Sequence, residues 1–256
     1  FIGPNQITLQ MHHIQSTGSD TVNINNNYTI TEKADGLRKM LYVNGEGKIY
    51  FITTNMNVQF TGMSTTEKVC YNSILDGEHI LYNKRQEYIN LFAVFDIYFI
   101  NGKDVRQLPL YLKDKQSRHK IMTEVCKKIV ANQSNIAGNA SNNLRIQVKT
   151  FYNTNAQNVF ANCKKILDDI DTGTVYEYET DGLIFTPAEL GVTQTKPTDR
   201  ITNRKRTWEL CFKWKPAKFN TIDFLVTTVK NNMGNDDIGE IYNDGKKTDS
   251  HEQLIQ

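Results

Sequence analysis

The apolar residues of this chain fall mainly into short runs with the spacing expected of strands, interrupted twice by a helical period. Tyr28-Thr29-Ile30 is a short strand-like run. Leu41-Tyr42-Val43 and Ile49-Tyr50-Phe51-Ile52 flank Asn44-Gly45-Glu46-Gly47 and predict a hairpin, because Asn-Gly suits a tight turn. Glu78 to Tyr82 and Tyr88 to Ile100 predict a second strand pair around Asn83-Lys84-Arg85-Gln86. Within it, Leu91 to Phe99 is apolar on both faces, as in a central strand covered from both sides. Lys113 to Val130 predicts an amphipathic helix with Ile121, Met122, Val125 and Ile129 on one face. Ala131 to Asn143, rich in Asn, Ser and Gly, reads as a loop. A strand at Leu144 to Phe151 and a second amphipathic helix at Asn158 to Ile170 follow. Strands return at Gly182 to Thr186, Trp208 to Lys215 and Thr221 to Val229. From Lys230 on, the chain is polar and reads as an unfinished module or a tail. Strands outnumber helices and hairpins outnumber crossovers, so the expected class is α+β with antiparallel sheets.

A chain of 256 residues can bury a core as one large domain or two smaller ones. The net charge of +2 gives no global signature of nucleic-acid binding, so any RNA contact must come from a local patch. Cys70, Cys126, Cys163 and Cys211 lie far apart and form no CxxC pair, which argues against a zinc site or disulfide framework and for a reducing compartment. None of the histidines has metal spacing with a second ligand. The longest apolar run, Leu91 to Ile100, is broken by Asp96 and too short to span a membrane. The chain starts at Phe1 without a charged-then-apolar leader, which suggests a piece of a longer polypeptide.

Chemistry concentrates at Lys33-Ala34-Asp35-Gly36-Leu37-Arg38, just after the Tyr28-Thr29-Ile30 run. One reading is a polar turn with Asp35-Gly36 at its corner. The other is a lysine that attacks the α-phosphate of a nucleotide and holds the nucleotide covalently. A lysine amine attacks only when unprotonated, a form that burial or nearby positive charge favours. Arg38 is one such charge and a bound metal would be another. In Trp208 to Lys215, alternation sends Trp208, Leu210, Phe212 and Trp214 into a core and Lys213 and Lys215 to the other face together. These two lysines are either a solvated face or the partners of an anion such as a phosphate. Asp76-Gly77-Glu78 and Asp181-Gly182-Leu183-Ile184-Phe185 are acidic-glycine units that suit ribose hydroxyls or a divalent metal, and also ordinary turns. Asp96, inside an apolar run, requires a hydrogen-bonding or charged partner. Phe95, on the opposite face, is either a core residue or a platform for a base.

Together and in this order, these units resemble the guanylyltransferase domain of mRNA capping enzymes, within the covalent nucleotidyltransferase superfamily that also holds ATP-dependent DNA ligases and RNA ligases. Lys33 to Arg38 resembles the superfamily's KxDGxR motif. Phe92-Ala93-Val94-Phe95-Asp96 resembles its third motif, with Asp76-Gly77-Glu78 upstream. Asp181 to Pro187 resembles the fourth motif in its capping-enzyme form. Phe212-Lys213-Trp214-Lys215-Pro216, followed by Asn220-Thr221-Ile222-Asp223-Phe224, resembles the capping-enzyme fifth motif. Asn101 to Arg106 and Leu108-Pro109 resemble the segment after the third motif. The likeness covers roughly Phe1 to Val229 and is greatest to enzymes of large DNA viruses, with asparagine, isoleucine and lysine conspicuous as in an AT-rich genome. The family's sixth motif, Arg-x-Asp-Lys in a C-terminal OB-fold lid, has no counterpart here.

The resemblance implies an α+β nucleotidyltransferase fold with antiparallel sheets around a nucleotide cleft and the OB-fold lid absent or truncated. It implies a nucleotide-binding domain over residues 1–220 and the start of a lid module, or a polar tail, over 221–256. It implies transfer of GMP from GTP through a lysyl intermediate on Lys33 to the 5′-diphosphate end of RNA. In that scheme Lys213 and Lys215 meet the α-phosphate, Arg38 and Glu78 hold the ribose, and Phe95 stacks on guanine. Asp35 orients the motif loop, and Asp181 lies near a Mg²⁺ or Mn²⁺ ion. Fused triphosphatase or methyltransferase domains would complete the full-length protein. The location would be a viral factory or virion for a viral protein, and the nucleus for a cellular one. The alternatives are an ATP-dependent polynucleotide ligase and a non-catalytic nucleotide- or cap-binding module.

Overall fold

The computed structural model describes residues 3–15, 22–113, 115–135, 144–154, 158–201, 207–219, 230–235, 239–243 and 247–251. The expected strand at Thr221 to Val229, and with it Asn220-Thr221-Ile222-Asp223-Phe224, lies outside these residues. In chain order the strands are β1 (Asn5–Thr8), β2 (Tyr28–Ala34), β3 (Leu37–Val43), β4 (Lys48–Thr53), β5 (Val58–Thr65), β6 (Ser73–Tyr82), β7 (Tyr88–Ile100), β8 (Lys103–Asp104), β9 (Gln133–Asn135), β10 (Arg145–Val148), β11 (Tyr152–Asn153), β12 (Thr180–Pro187), β13 (Thr207–Trp214), β14 (Gly239–Asn243) and β15 (Lys247–His251). The helices are α1 (Arg118–Ala131) and α2 (Val159–Thr172). The chain divides into two units, Phe1–Lys218 and Phe219–Gln256.

The first unit holds two sheets. One has the order β1-β13-β12-β2-β11, the other β10-β7-β6-β3-β4-β5-β9 with β8 on β7. Pairings are antiparallel except β1 with β13 and β10 with β7. The chain crosses from one sheet to the other at two places that matter below. The Asp35-Gly36 corner joins β2 to β3, and residues 149–151 join β10 to β11.

β7 is covered on both sides, as its apolar run implies. Phe92, Val94 and Ile97 join a core with Leu41, Phe51 and Leu75 under α1. Leu91 and Ala93 join a second core with Ile30, Leu183, Phe185 and Phe212 under α2. α1 starts five residues later than the period suggests, because Ser117 caps it by accepting from the Lys120 amide at 3.3 Å. Its four expected core residues, Ile121, Met122, Val125 and Ile129, are all buried. Each such side chain contributes on the order of 1.5–3 kcal/mol when fully buried.

Several strands escape the sequence pattern. β1 and β9 are short and polar, and β5 leaves Val58 and Phe60 exposed, so none shows a clean alternation. The run expected as one strand at 144–151 is two, β10 and β11, because it changes sheets. β13 also breaks its alternation. Its register against β1 jumps from Gln6↔Trp208 to Ile7↔Phe212, which leaves Trp208, Cys211 and Phe212 all buried. In the second unit the segment read as an unfinished module or a tail contains a hairpin, β14 against β15, with Glu240 opposite Ser250 and Tyr242 opposite Thr248. Such polar pairs carry no hydrophobic period. Among the described residues, no helix is long and apolar enough to cross a membrane.

Candidate active site

Between the two sheets lies a cleft with about 730 Å³ of empty space, part of it open to solvent. Its walls include Lys33, Arg38, Glu78, Phe95 and Ile184, and residues 149–151 contribute Lys149 and Phe151. The Asp35-Gly36 corner explains this. It carries the chain from one sheet to the other, so Lys33 ends on one wall and Arg38 starts on the opposite one.

Lys33 Nζ lies 2.7 Å from Asp181 Oδ1, and Lys215 Nζ lies 2.6 Å from Asp181 Oδ2. One carboxylate thus joins the lysine of the first motif to a lysine of the fifth. Burial pushes the Asp181 carboxyl upward, but hydrogen bonds and charge from Lys215 and Lys33 outweigh it and hold the group below the usual carboxylate value. A bulge in β12 makes this aim possible. Its register against β2 shifts between Thr180 and Leu183, and Gly182 there has φ +150° with the Trp214 carbonyl where a Cβ would stand. Only glycine fits that backbone and that approach. The anion that Lys215 requires is therefore supplied by Asp181. Lys213 makes no side-chain hydrogen bond or ion pair among the described residues and does not line the cleft.

Arg38 grips Asp76 in a fork, Nε to Oδ1 at 3.1 Å and Nη2 to Oδ2 at 2.6 Å, and its Nη1 donates to the Pro4 carbonyl at 3.0 Å. Tyr98 adds a bond to Asp76 Oδ2 at 2.6 Å. The positive charge expected to act on Lys33 is therefore largely balanced by Asp76. Glu78 has no such partner among the described residues. Burial raises its carboxyl to about 7 against the attraction of Lys149, Lys33 and Arg38. Phe95 lines the cleft with the Arg38 guanidinium 5.5 Å from its ring centre. Asp35 is exposed and outside the cleft, its amide bonded to the Glu179 carbonyl at 2.9 Å. Asp96 has the partner its setting demands: Arg118, fully buried, donates to it at 2.7 and 3.1 Å and also reaches the Leu108 and Leu190 carbonyls.

Sequence reasoning missed Glu32, Lys149, Tyr178 and Arg118. Glu32 had a signal: it shares a strand face with Tyr28 and Ile30, where a carboxylate stands out among core residues. Lys149 and Arg118 had none: Arg118 sits among polar neighbours that read as surface, and Lys149 is one polar position in a run of mixed polarity.

The cleft between the two sheets thus presents a paired lysine on one wall and, on the other, an arginine and a carboxylate unpartnered among the described residues. By comparison, the chain belongs to the family "mRNA capping enzyme, catalytic domain", whose model matches residues 1–217. It is similar to a probable mRNA-capping enzyme of Acanthamoeba polyphaga mimivirus, 27% identical over 269 residues, covering 89% of this chain and 22% of that protein. It is also similar to the mRNA-capping enzyme of Danio rerio, 25% identical over 211 residues, covering 80% of this chain and 32% of that protein. The chain thus spans about a fifth and a third of these relatives. Among solved structures, the ligase domain of LigD from M. tuberculosis superposes with a TM-score of 0.41 at 13% identity, over 73% of this chain and 53% of that one.

Proposed function

We propose that this chain transfers GMP from GTP, through a covalent adduct on Lys33, to the 5′-diphosphate end of an RNA. The observation that carries the proposal is the Lys33–Asp181–Lys215 array, whose Lys33 lines the cleft between the sheets. In the first step the unprotonated Lys33 amine attacks the α-phosphorus. A nitrogen–phosphorus bond forms, the nitrogen gives up one proton, the bond to the oxygen bridging to the β-phosphate breaks, and pyrophosphate leaves. In the second step a terminal oxygen of the RNA diphosphate attacks the same phosphorus, and the Lys33 nitrogen departs and regains its proton. Lys215, 35% exposed at its side chain, offers a donor for charge developing on the α-phosphate.

Among the described residues, no three His, Cys, Asp or Glu side chains gather as a metal cage. Asp181, whose oxygens are held by Lys33 and Lys215, is the protein carboxylate that would stand near a Mg²⁺ or Mn²⁺ ion bound mostly through nucleotide phosphates and water. When bound, such an ion neutralises phosphate oxygens.

The base end of the cleft favours guanine. Lys149 lines it, and an ammonium only donates. Both purines accept at N7, but at position 6 guanine offers an acceptor and adenine an amino donor, so the discrimination lies there. Phe95 supplies a stacking face and Glu78 an acceptor for ribose hydroxyls. The greater length of both relatives leaves room for further capping domains, such as a triphosphatase or a methyltransferase, in the whole protein.

The test is incubation with α-labelled GTP or ATP and a divalent metal. We expect label on the protein from GTP only, and none on Lys33→Ala. Equal labelling by ATP would favour an ATP-dependent ligase, and GTP binding without any adduct a silent binding module.

A further inference from the structure

Glu32 precedes the nucleophile, yet it is fully buried and does not line the cleft, whereas Thr31 and Lys33 on either side do. Its carboxylate is held from several directions. Thr31 Oγ1 donates to Oε2 at 2.8 Å and Tyr178 Oη to Oε1 at 2.8 Å. Lys149 Nζ lies 3.2 Å from Oε1 and also donates to the Glu32 backbone carbonyl. The Lys149 side chain is only 4% exposed, but it reaches the cleft wall just where the chain passes between sheets. Its amide is pinned there by the Val94 carbonyl at 2.9 Å. The ammonium is thus tied to Glu32 by a hydrogen bond to its carbonyl and an ion pair to its carboxylate, while the residue itself lines the cleft.

We propose that Glu32 is a positioning residue for base selection. It fixes the Lys149 ammonium in the cleft wall, so that a 6-oxo purine is accepted and a 6-amino purine refused. This inference rests on the reading of the cleft as a GTP site. A buried ion pair is often no more stabilising than apolar residues of the same volume, so stability alone does not account for one built into this wall. A buried ammonium without a counter-charge is costly. Removing the charge of Glu32 must therefore expel Lys149 from the wall or neutralise it. Either outcome ends the donors-only character that discriminates against adenine.

The test uses the 256-residue chain. Glu32→Gln keeps the shape and can still accept from Tyr178. Dissociation constants and adduct rates are measured with GTP and with ATP. We expect the GTP-to-ATP preference to fall by about tenfold or more, as when one discriminating bond is lost. In a Lys149→Met background the same change should have no further effect on the preference, because the two residues act as a unit. Equal losses for both nucleotides, with the preference intact, would show a merely structural role and overturn the inference. If Glu32→Gln does not fold, Tyr178→Phe replaces it and should lower the preference by roughly two- to fivefold, as for a weakened single hydrogen bond; an unchanged preference overturns it. GTP-selective binding without any adduct would remove the transfer reaction but leave this test standing. Absence of GTP preference in the unmodified chain overturns the inference together with the base assignment.

Discussion

Glu78 is the cleft residue whose charge state responds most directly to pH. Burial raises its carboxyl to about 7 from an ordinary 4.5, despite Lys149, Lys33 and Arg38 nearby. A ribose hydroxyl donating to it favours the ionised form. GTP should therefore bind more tightly as pH rises through about 7. The linkage to folding has the opposite sense. The folded state holds this proton more firmly than the unfolded one, so Glu78 removes stability as pH rises from about 4.5 to about 7. We expect GTP affinity to rise severalfold between pH 6 and pH 8, and Glu78→Gln to flatten that rise relative to the parent. An identical slope in both would exclude Glu78 from the binding site. The same physics limited what single residues disclosed beforehand. Asp96 announced that it needed a partner, but nothing in the sequence pointed to Arg118, which lies at the start of a helix among polar residues. Lys149 likewise reads as a surface lysine until the crossing between sheets buries it.

Strands with long apolar runs or a strong turn signal were legible. The β3–β4 hairpin and β6–β7 pair appear where Asn44-Gly45 and Asn83 to Gln86 put them. Strands defined by a partner rather than by their own pattern were not, and β1 is the consequential case. It carries Pro4 and Gln6 into the cleft beside the β13 register jump. Just before it, Gly3 packs so closely that a Cβ would collide with Asp76 Oδ2 and Arg38 Nη2 and stand 2.7 Å from the Tyr98 hydroxyl. These atoms are bonded to one another and cannot all give way. We expect Gly3→Ala to destabilise the protein by about 1–3 kcal/mol, as overpacking does. It should also weaken nucleotide binding, because Arg38 is displaced. Urea unfolding and a GTP titration check this, and unchanged values in both would mean that this segment does not pack on Arg38.

At the scale of the molecule, the cleft exists because the chain changes sheets at Asp35-Gly36 and again at 149–151. The first crossing coincides with a dense sequence motif, so the residues it delivers, Lys33 and Arg38, were legible. The second coincides with an ordinary polar-apolar run, so Lys149 and its Glu32 anchor were not. The pairing of Asp181 with both Lys33 and Lys215 spans three strands, and only the assembled β2–β12–β13 array brings them together. Everything proposed for this array depends on Lys33 being the atom-for-atom acceptor of the nucleotide. The direct measurement is mass spectrometry of the protein after incubation with GTP and a divalent metal, followed by peptide mapping. We expect a mass gain of one GMP, confined to the peptide that carries Lys33 and lost on Lys33→Ala. A GMP mapped to any other residue, or no adduct despite saturating GTP, would contradict the proposed role of Lys33.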